Sequence, residues 1–265
     1  MAPSPQPRPL SEEACPKAAG SMGELFDSVA QHYDFLNHLL SLGTDRWWRE
    51  RVAAAVRRCR PKRLLDLATG SGDLLRLLER RIPGLEEAWG VDVSPSMLAV
   101  ARGKGLGRLL QADALALPFP DGNFDVVTVA FGLRNFPDRS RAFAEMRRIL
   151  RPGGAAFILE FSRPWAWLAP AYFFYLRSML PEIAHLFGAP REAYRYLASS
   201  IASFPGAEEL AKEMERAGFG SVRFQRLTGG VVALHEAEEG SVGAVPEQSD
   251  QGSRSSGTNF AREVG

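Results

Sequence analysis

The chain has 265 residues, 45% of them hydrophobic and 24% charged, which is enough to bury the core of one large domain. Its net charge of +1 creates no field that would collect nucleic acid non-specifically, so nucleic acid is not the expected substrate. The two cysteines and four histidines lack the spacing of a disulfide framework or a metal site, which predicts a cytosolic protein without a bound metal.

The two ends of the chain differ in composition from its middle. Residues 1–23 are rich in proline and lack the apolar stretch of a signal peptide, and residues 239–265 are rich in Gly, Ser, Gln and Glu. Such segments bury too little apolar surface to offset the entropy lost on ordering. We therefore expect a disordered lead over 1–23, a folded domain over 24–238 and a disordered tail over 239–265.

Short apolar runs alternate with helical patterns between these tails, which is typical of parallel strands joined by crossover helices. The predicted strands cover residues 63–68, 88–93, 108–112, 124–131, 155–161, 221–227 and 231–235. The predicted helices cover residues 73–81, 95–102, 139–150 and 207–217. The pattern predicts a Rossmann-like α/β fold with a seven-stranded sheet.

Two segments fall outside this alternation. An apolar stripe at helical spacing over 25–40 predicts an N-terminal helical lid, and an aromatic-rich segment over 164–204 predicts a helical insertion before the last two strands. Both are candidate walls of a substrate cavity. Tyr33 belongs either to that lid or to the core of the N-terminal helix.

The first predicted strand runs into Leu-Asp-Leu-Ala-Thr-Gly-Ser-Gly-Asp at 65–73, and a helix follows at once. Gly70 and Gly72 allow a tight turn and a close approach of a ligand to the backbone at the carboxyl end of the sheet. A dinucleotide fingerprint requires a third glycine three residues after Gly72, where this chain has Leu75. A smaller, nucleoside-type ligand is therefore favoured over a nicotinamide cofactor.

Two further carboxylates follow predicted strands. Asp92 ends the second strand, where it can accept hydrogen bonds from both ribose hydroxyls. Asp113 ends the third strand and can accept from an adenine amino group, while Ala114 offers a backbone N–H. The alternative is that both aspartates simply end strands, and that Asp66 and Asp73 are solvated or capping carboxylates.

These features and several longer motifs resemble the ubiquinone/menaquinone biosynthesis C-methyltransferase family over about residues 25–235. The glycine loop and Arg-Pro-Gly-Gly at 151–154 are common to many methyltransferases. The stretches Phe-Gly-Leu-Arg-Asn-Phe at 131–136 and Val-Val-Ala-Leu-His at 231–235 are more specific. Further matches are Phe-Asp-Ser-Val-Ala at 26–30, Leu-Pro-Phe-Pro at 117–120, Leu-Glu-Phe-Ser at 159–162 and Tyr-Arg-Tyr-Leu at 194–197.

The resemblance implies a class I fold that binds S-adenosylmethionine and methylates a ring carbon of a polyprenylated quinol precursor of menaquinone or ubiquinone. The residues expected to bind S-adenosylmethionine are Gly70, Ser71, Gly72, Asp92, Asp113 and Ala114. The chain departs from the family pattern at several positions over 182–199, which leaves the shape of the quinol pocket open. Methylation of another small hydrophobic acceptor is the alternative function.

Carbon methylation requires an electron-rich ring, and ionising an adjacent phenol supplies that electron density. We expect Arg134 to favour the phenolate electrostatically and Asn135 to position its oxygen or a water. The proton would leave through water, since an arginine is a poor base. Arg134 could instead pair with a surface carboxylate, and His235 is more easily explained as a structural histidine than as a base.

The segment 164–176 is apolar and aromatic but too short to span a bilayer. One interpretation is a peripheral contact with the inner face of the membrane, through which a prenyl chain enters. The other is a buried subdomain or the surface of a homodimer. Both could hold at once.

Overall fold

The computed structural model describes residues 41, 43–186 and 191–240. The predicted disordered lead, the predicted N-terminal lid over 25–40 and the predicted tail beyond residue 240 lie outside the described residues. The last strand runs to Glu239, next to the predicted end of the domain. Among the described residues, no helix is both long enough and apolar enough to cross a bilayer.

Seven strands form one sheet in the order β3-β2-β1-β4-β5-β7-β6, which confirms the predicted Rossmann-like architecture. Strands β1, β4 and β5 lie at its centre and are almost entirely buried, as expected of strands covered on both faces. The strands are β1 (Arg63–Leu67), β2 (Glu87–Asp92), β3 (Leu109–Gln111), β4 (Phe124–Ala130), β5 (Leu150–Phe161), β6 (Phe219–Leu227) and β7 (Val232–Glu239).

Eight described α-helices cover the two faces of the sheet and form the insertion. They are α1 (Thr44–Arg58), α2 (Asp73–Arg81), α3 (Pro95–Gly103), α4 (Arg139–Ile149), α5 (Ala169–Phe174), α6 (Leu180–Leu186), α7 (Arg191–Ser203) and α8 (Ala207–Arg216). The four helices predicted between strands correspond to α2, α3, α4 and α8, with ends that differ by one residue at most. A π-helical turn over Tyr175–Met179 joins α5 to α6.

Helix α1 was not predicted from the sequence. Its buried side chains include Trp48, Val52 and Val56, which recur every four residues and therefore line one face. That face packs with α2 and the central strands in one of the two core clusters on the sheet. The indole Nε1 of Trp48 also donates a hydrogen bond of 2.8 Å to the hydroxyl of Thr228, between β6 and β7.

The predicted parallel pairing holds for β1 to β5, whereas β7 runs antiparallel to both β5 and β6. Only the short turn Thr228–Gly230 and Val231 separate β6 from β7. A parallel pair requires a crossover of a dozen residues or more, so this connection can close only a hairpin. The turn is tight, with positive φ angles of 47°, 64° and 86° at its three residues.

The segment before β6 forms the predicted helical insertion. Residues of α6, α7 and the π-helical turn share a small core of their own, made by Leu176, Leu180, Tyr194, Ala198 and Ile201. Partly buried aromatic side chains of α5 and Phe161 of β5 pack against this core. The insertion is thereby anchored to the carboxyl end of a central strand.

Asp66 lies in the middle of β1 with only 2% of its surface exposed. Its two carboxylate oxygens accept hydrogen bonds from Thr128 in β4, at 2.6 Å, and from Thr69 after β1, at 2.7 Å. Burial raises the pKa of this carboxyl from its ordinary value of 3.8 to about 6, against the opposing effect of the two hydroxyls. The interpretation of Asp66 as a solvated or capping carboxylate is therefore wrong.

The raised pKa predicts how stability depends on pH. Between about pH 4 and pH 6 the folded protein keeps a proton on Asp66 that the unfolded chain has lost, so this contribution to the free energy of unfolding falls as the pH rises. The total change in the free energy of unfolding is about 3 kcal/mol. In Asp66→Asn this part of the pH dependence should disappear, as measured by urea unfolding of both proteins from pH 4 to 7.

Asp125→Asn is the matched control, because the pKa of Asp125 is lowered by the Arg151 side chain and by the backbone N–H groups of Lys62 and Arg63. The contribution of Asp125 to the free energy of unfolding depends on pH in the opposite direction. It is lost as the pH falls below the ordinary pKa of an aspartate. An Asp66→Asn curve parallel to that of the wild type would contradict the raised pKa.

Candidate active site

The glycine loop follows β1 at the carboxyl edge of the sheet. Ala68, Gly70 and Gly72 have positive φ angles of 49°, 56° and 81°. Among the described residues, a Cβ added to Gly70 would meet no atom within 4 Å, whereas one added to Gly72 would overlap the side chain of Leu106. The described part of the chain therefore leaves room for a ligand at Gly70, and Gly72 allows close packing beneath the loop.

Asp92 is the last residue of β2, as predicted, and it is tied to the glycine loop. One carboxylate oxygen accepts a 2.8 Å hydrogen bond from the backbone N–H of Gly70, and the other accepts one of 2.9 Å from that of Ser94. These bonds fix the orientation of the carboxylate. Each carboxylate oxygen has two acceptor positions, so this arrangement is compatible with bonds to ligand hydroxyls.

Asp113 was predicted to end the third strand, but it lies two residues after the end of β3. The strand is shorter than predicted because its pairing with β2 stops at Gln111. One carboxylate oxygen of Asp113 accepts a 2.9 Å hydrogen bond from the N–H of Leu115, which closes a tight turn around the buried Ala114. The side chain remains on the edge where β1, β2 and β3 end side by side.

The donor and acceptor set at these three strand ends fits a nucleoside-type cofactor. Gly70, Ser71 and Gly72 present a tight loop that opens at Gly70, and the fixed Asp92 carboxylate stands beside it. Asp113 and Ala114 follow the next strand of the sheet. The structure thus brings all six predicted cofactor residues to one edge, while their contacts with S-adenosylmethionine stay a prediction.

The chain turns sharply again after β4, next to β1. Phe131 has a φ angle of 57°, a strained conformation for a residue with a large side chain. A Cβ added to the following Gly132 would overlap the Cβ of Ala68, so the ends of β1 and β4 touch here. The short 3-10 turn Leu133–Asn135 then places Arg134 and Asn135 beside the glycine loop, at the edge where they were predicted.

Arg134 forms an ion pair with Glu160, the next-to-last residue of β5. Arg134 Nη1 lies 2.9 Å from Glu160 Oε1, and the two side chains are only 5% and 1% exposed. Nη1 also donates to the carbonyl of Phe131, and the backbone N–H of Arg134 donates to Glu160 Oε2 at 3.2 Å. The partner of Arg134 is a buried carboxylate and not the surface carboxylate considered from sequence.

Aromatic rings surround this ion pair. The rings of Phe131 and Phe161 are 5.0 Å apart, Trp48 lies 5.8 Å from Phe131, and the guanidinium of Arg134 lies 5.3 Å from the centre of the Phe161 ring. The rings of Trp48, Phe131 and Phe161 form an aromatic wall. Such a wall accommodates a flat aromatic ligand with one polar end.

Asn135 contacts the insertion. Its side-chain oxygen accepts a 3.3 Å hydrogen bond from the hydroxyl of Tyr196 in α7. This bond links the turn after β4 to a helix that comes 61 residues later in the chain.

Three residues of this site were missed by the sequence reasoning: Glu160, Tyr196 and Trp48. Glu160 had a signal, because it is a lone carboxylate in the apolar run Phe-Ile-Leu-Glu-Phe of β5. A charged residue in such a strand requires a partner. Tyr196 lies in the stretch Tyr-Arg-Tyr-Leu at 194–197 noted in the sequence, but its bond to Asn135 and the contact of Trp48 with Phe131 arise only from tertiary packing.

His235 lies in β7, far along the sheet from the glycine loop, with 1% of its surface exposed. Its Nε2 lies 2.8 Å from the carbonyl of Ala207 at the start of α8. Burial lowers the pKa of the imidazole below its ordinary value, so the ring stays neutral near pH 7. This burial and this contact favour the structural interpretation of His235.

Residues 16–239 match the model of the ubiE/COQ5 methyltransferase family. Demethylmenaquinone methyltransferase of Thermus thermophilus is 48% identical over 217 residues, covering 80% of this chain and 98% of that protein. Ubiquinone/menaquinone biosynthesis C-methyltransferase UbiE of Chromobacterium violaceum is 44% identical over 223 residues, covering 82% and 91%. A crystal structure of a SAM-dependent methyltransferase from Thermotoga maritima has the same fold, with a TM-score of 0.58 at 20% identity over 82% of this chain and 99% of that one.

Asp92→Ala tests the cofactor edge. Removing a carboxylate that bonds the ribose should weaken S-adenosylmethionine binding by about 1 to 3 kcal/mol, as for the loss of hydrogen bonds to a charged group. Isothermal calorimetry measures the affinity, and a melting curve checks that the loop still folds. Asp121→Ala, which removes an 80% exposed carboxylate after β3, is the control and should bind normally. Equal affinities of both variants would remove Asp92 from the site.

Proposed function

The chain belongs to the ubiE/COQ5 methyltransferase family, and we propose that it transfers a methyl group from S-adenosylmethionine to a ring carbon of a polyprenylated quinol precursor, as in the conversion of demethylmenaquinol to menaquinol. The observation that supports this best is the contact between Ala68 and Gly132. It places the glycine loop for the cofactor directly beside the turn that carries Arg134 and Asn135. A cofactor bound at that loop and a quinol bound at that turn would meet at one edge of the sheet, which supports methyl transfer between them.

Bound S-adenosylmethionine supplies an electrophilic methyl group, which bonds to the ring carbon while the electron pair of the broken S–C bond stays on sulfur. The described residues supply the other requirements. Gly70, Ser71 and Gly72 offer backbone to the cofactor, and the fixed carboxylate of Asp92 accepts from its ribose. Asp113 and Ala114 bind the base.

Arg134 and Asn135 act on the quinol. A ring carbon becomes nucleophilic when the neighbouring phenol ionises, and a cation beside that oxygen lowers its pKa. The ring proton is lost to water after the new bond has formed, which restores the aromatic ring. Asn135, held by Tyr196, positions the phenol oxygen or the water that accepts its proton.

The ion pair with Glu160 changes how Arg134 must work. A carboxylate at 2.9 Å cancels much of the field of the guanidinium at a distance, so Arg134 does not act as an isolated charge. Arg134 contributes through the orientation of its guanidinium, which Glu160 and the carbonyl of Phe131 hold in one plane. A planar set of donors fixes a substrate oxygen better than the mobile ammonium of a lysine does.

The insertion carries the surface that we propose for membrane contact. Trp165, Trp167, Phe174, Met179 and Leu186 are 51%, 73%, 63%, 47% and 82% exposed, which is most of the large exposed hydrophobic area of the described residues. Exposed tryptophans are typical of side chains that sit at the lipid–water interface. A prenyl chain could pass from the bilayer along this surface to the aromatic wall at Phe161.

Arg134→Lys tests the directional role, because lysine keeps the charge but loses the planar fork. We expect turnover of demethylmenaquinol to fall about tenfold or more, equivalent to at least about 1.4 kcal/mol of transition-state stabilisation, with near-normal S-adenosylmethionine affinity. Raising the pH should restore part of the rate if phenolate formation is what the variant lost.

Arg139→Lys is a closely matched control. Arg139 also pairs with a glutamate, Glu213, and also lies over a phenylalanine ring, Phe204, but its ion pair ties α4 to α8. Its turnover should equal that of the wild type. Wild-type turnover by Arg134→Lys, or a defect confined to cofactor binding, would disprove the proposed role.

Replacing Trp165, Trp167 and Phe174 together by serine tests the membrane surface. Co-sedimentation with vesicles that contain anionic lipid should fall severalfold, because these side chains provide the exposed apolar area. Replacing the exposed Trp47 of α1 by serine removes a tryptophan of equal exposure, 50%, from another surface and should leave binding unchanged. Equal sedimentation of all proteins would contradict membrane contact through the insertion.

A further inference from the structure

Tyr172 of α5 carries a buried hydroxyl for which the described residues provide no hydrogen-bond partner. The ring packs against the small core of the insertion and against the core cluster on the sheet that contains Trp48, and Phe161 packs against both of them as well. Phe161 is the residue whose ring lies 5.3 Å from the guanidinium of Arg134, and the charges of Arg134 and Glu160 both influence the pKa of the Tyr172 phenol. The insertion thus brings this hydroxyl into the surroundings of the ion pair of the candidate active site.

An unsatisfied buried hydroxyl is destabilising relative to a satisfied one, and most buried polar groups in proteins have a partner. A phenylalanine at position 172 would fill the same space without that cost. The hydroxyl therefore does not stabilise the described structure through a hydrogen bond. A bound ligand would give it a partner.

The ionisation state of Tyr172 determines what it can do. Burial raises the pKa of the phenol well above its ordinary value, and the neighbouring Glu160 acts in the same direction, whereas Arg134 opposes them. The group is protonated throughout the pH range of an enzyme assay. It can donate a hydrogen bond, but it cannot accept the proton of a substrate.

We propose that the hydroxyl of Tyr172 donates a hydrogen bond to the phenol oxygen of the quinol, so that Tyr172 and Arg134 together hold this oxygen as it becomes a phenolate. This inference rests on the proposed function and adds a residue from the insertion to the site. No proton leaves Tyr172 in this role. A fixed donor aimed at an oxygen that gains negative charge stabilises the transition state more than the neutral ground state.

The π-helical turn directly after α5 is consistent with a functional helix in this place. Such turns are rare and occur often at functional sites, because they rotate the side chains before them relative to those after them. The turn over Tyr175–Met179 begins three residues after Tyr172. Tyr172 packs inward on one side of this segment, while Phe174 and Met179 are exposed on the other.

Tyr172→Phe tests the inference with two measurements. Turnover of a short-chain demethylmenaquinol should fall about tenfold or more, while the melting temperature without ligands should stay the same or rise, since only an unsatisfied group is lost. Tyr175→Phe removes a half-buried phenol of the same helical segment and should change turnover little.

A nitronaphthol, whose ionised form absorbs visible light, provides a readout that does not depend on methyl transfer. Its apparent pKa when bound should be lower on the wild-type protein than on Tyr172→Phe, because the variant lacks one donor to the phenolate. Equal values on both proteins, or wild-type turnover by the variant, would overturn the inference.

A lower melting temperature of Tyr172→Phe would also overturn it, because the hydroxyl would then have a partner within the chain. Failure of the proposed function is a separate result: the wild-type protein itself would not methylate demethylmenaquinol. The wild-type assay therefore distinguishes the two.

Discussion

A carboxyl group buried between the two central strands supports the whole cofactor edge. Asp66 joins Thr128 in β4 to Thr69, the residue from which the glycine loop starts. The backbone of Gly70 in turn holds the carboxylate of Asp92, so one chain of hydrogen bonds runs from the core to the end of β2. Water does not reach Asp66, so the hydroxyls of Thr128 and Thr69 compensate for its burial. The hydrogen bond to Thr69 in turn sets the conformation in which the glycine loop begins.

The second half of the site depends on a close approach of backbones. Gly132 has room beside Ala68 only because it lacks a Cβ, and the strained turn at Phe131 directs the chain toward that contact. The same turn aims Arg134 at Glu160, where the aromatic wall excludes water from the ion pair. A buried pair of this kind is weak evidence for stability, but it is well suited to hold a guanidinium in one orientation.

The insertion connects the chemistry to the surface of the molecule. Its inner side contributes Tyr196 to Asn135 and brings Tyr172 near Arg134, whereas its outer side exposes tryptophans. A substrate with a polar head and a long apolar tail requires both kinds of surface within one segment. The departures of this chain from the family pattern over 182–199 fall in the same segment, so differences in substrate preference would be expressed there.

The sequence by itself determined the alternating fold, the glycine loop and the edge at which Asp92, Asp113, Arg134 and Asn135 lie. Each of these depends on short-range periodicity or on which strand a residue follows. Tertiary structure decided the partners. Arg134 meets Glu160 across 26 residues, Asn135 meets Tyr196 across 61, and Trp48 meets Thr228 across 180. Those contacts arise from the order in which strands are added to the sheet, and side chains distant in sequence come together only where that order makes their elements neighbours.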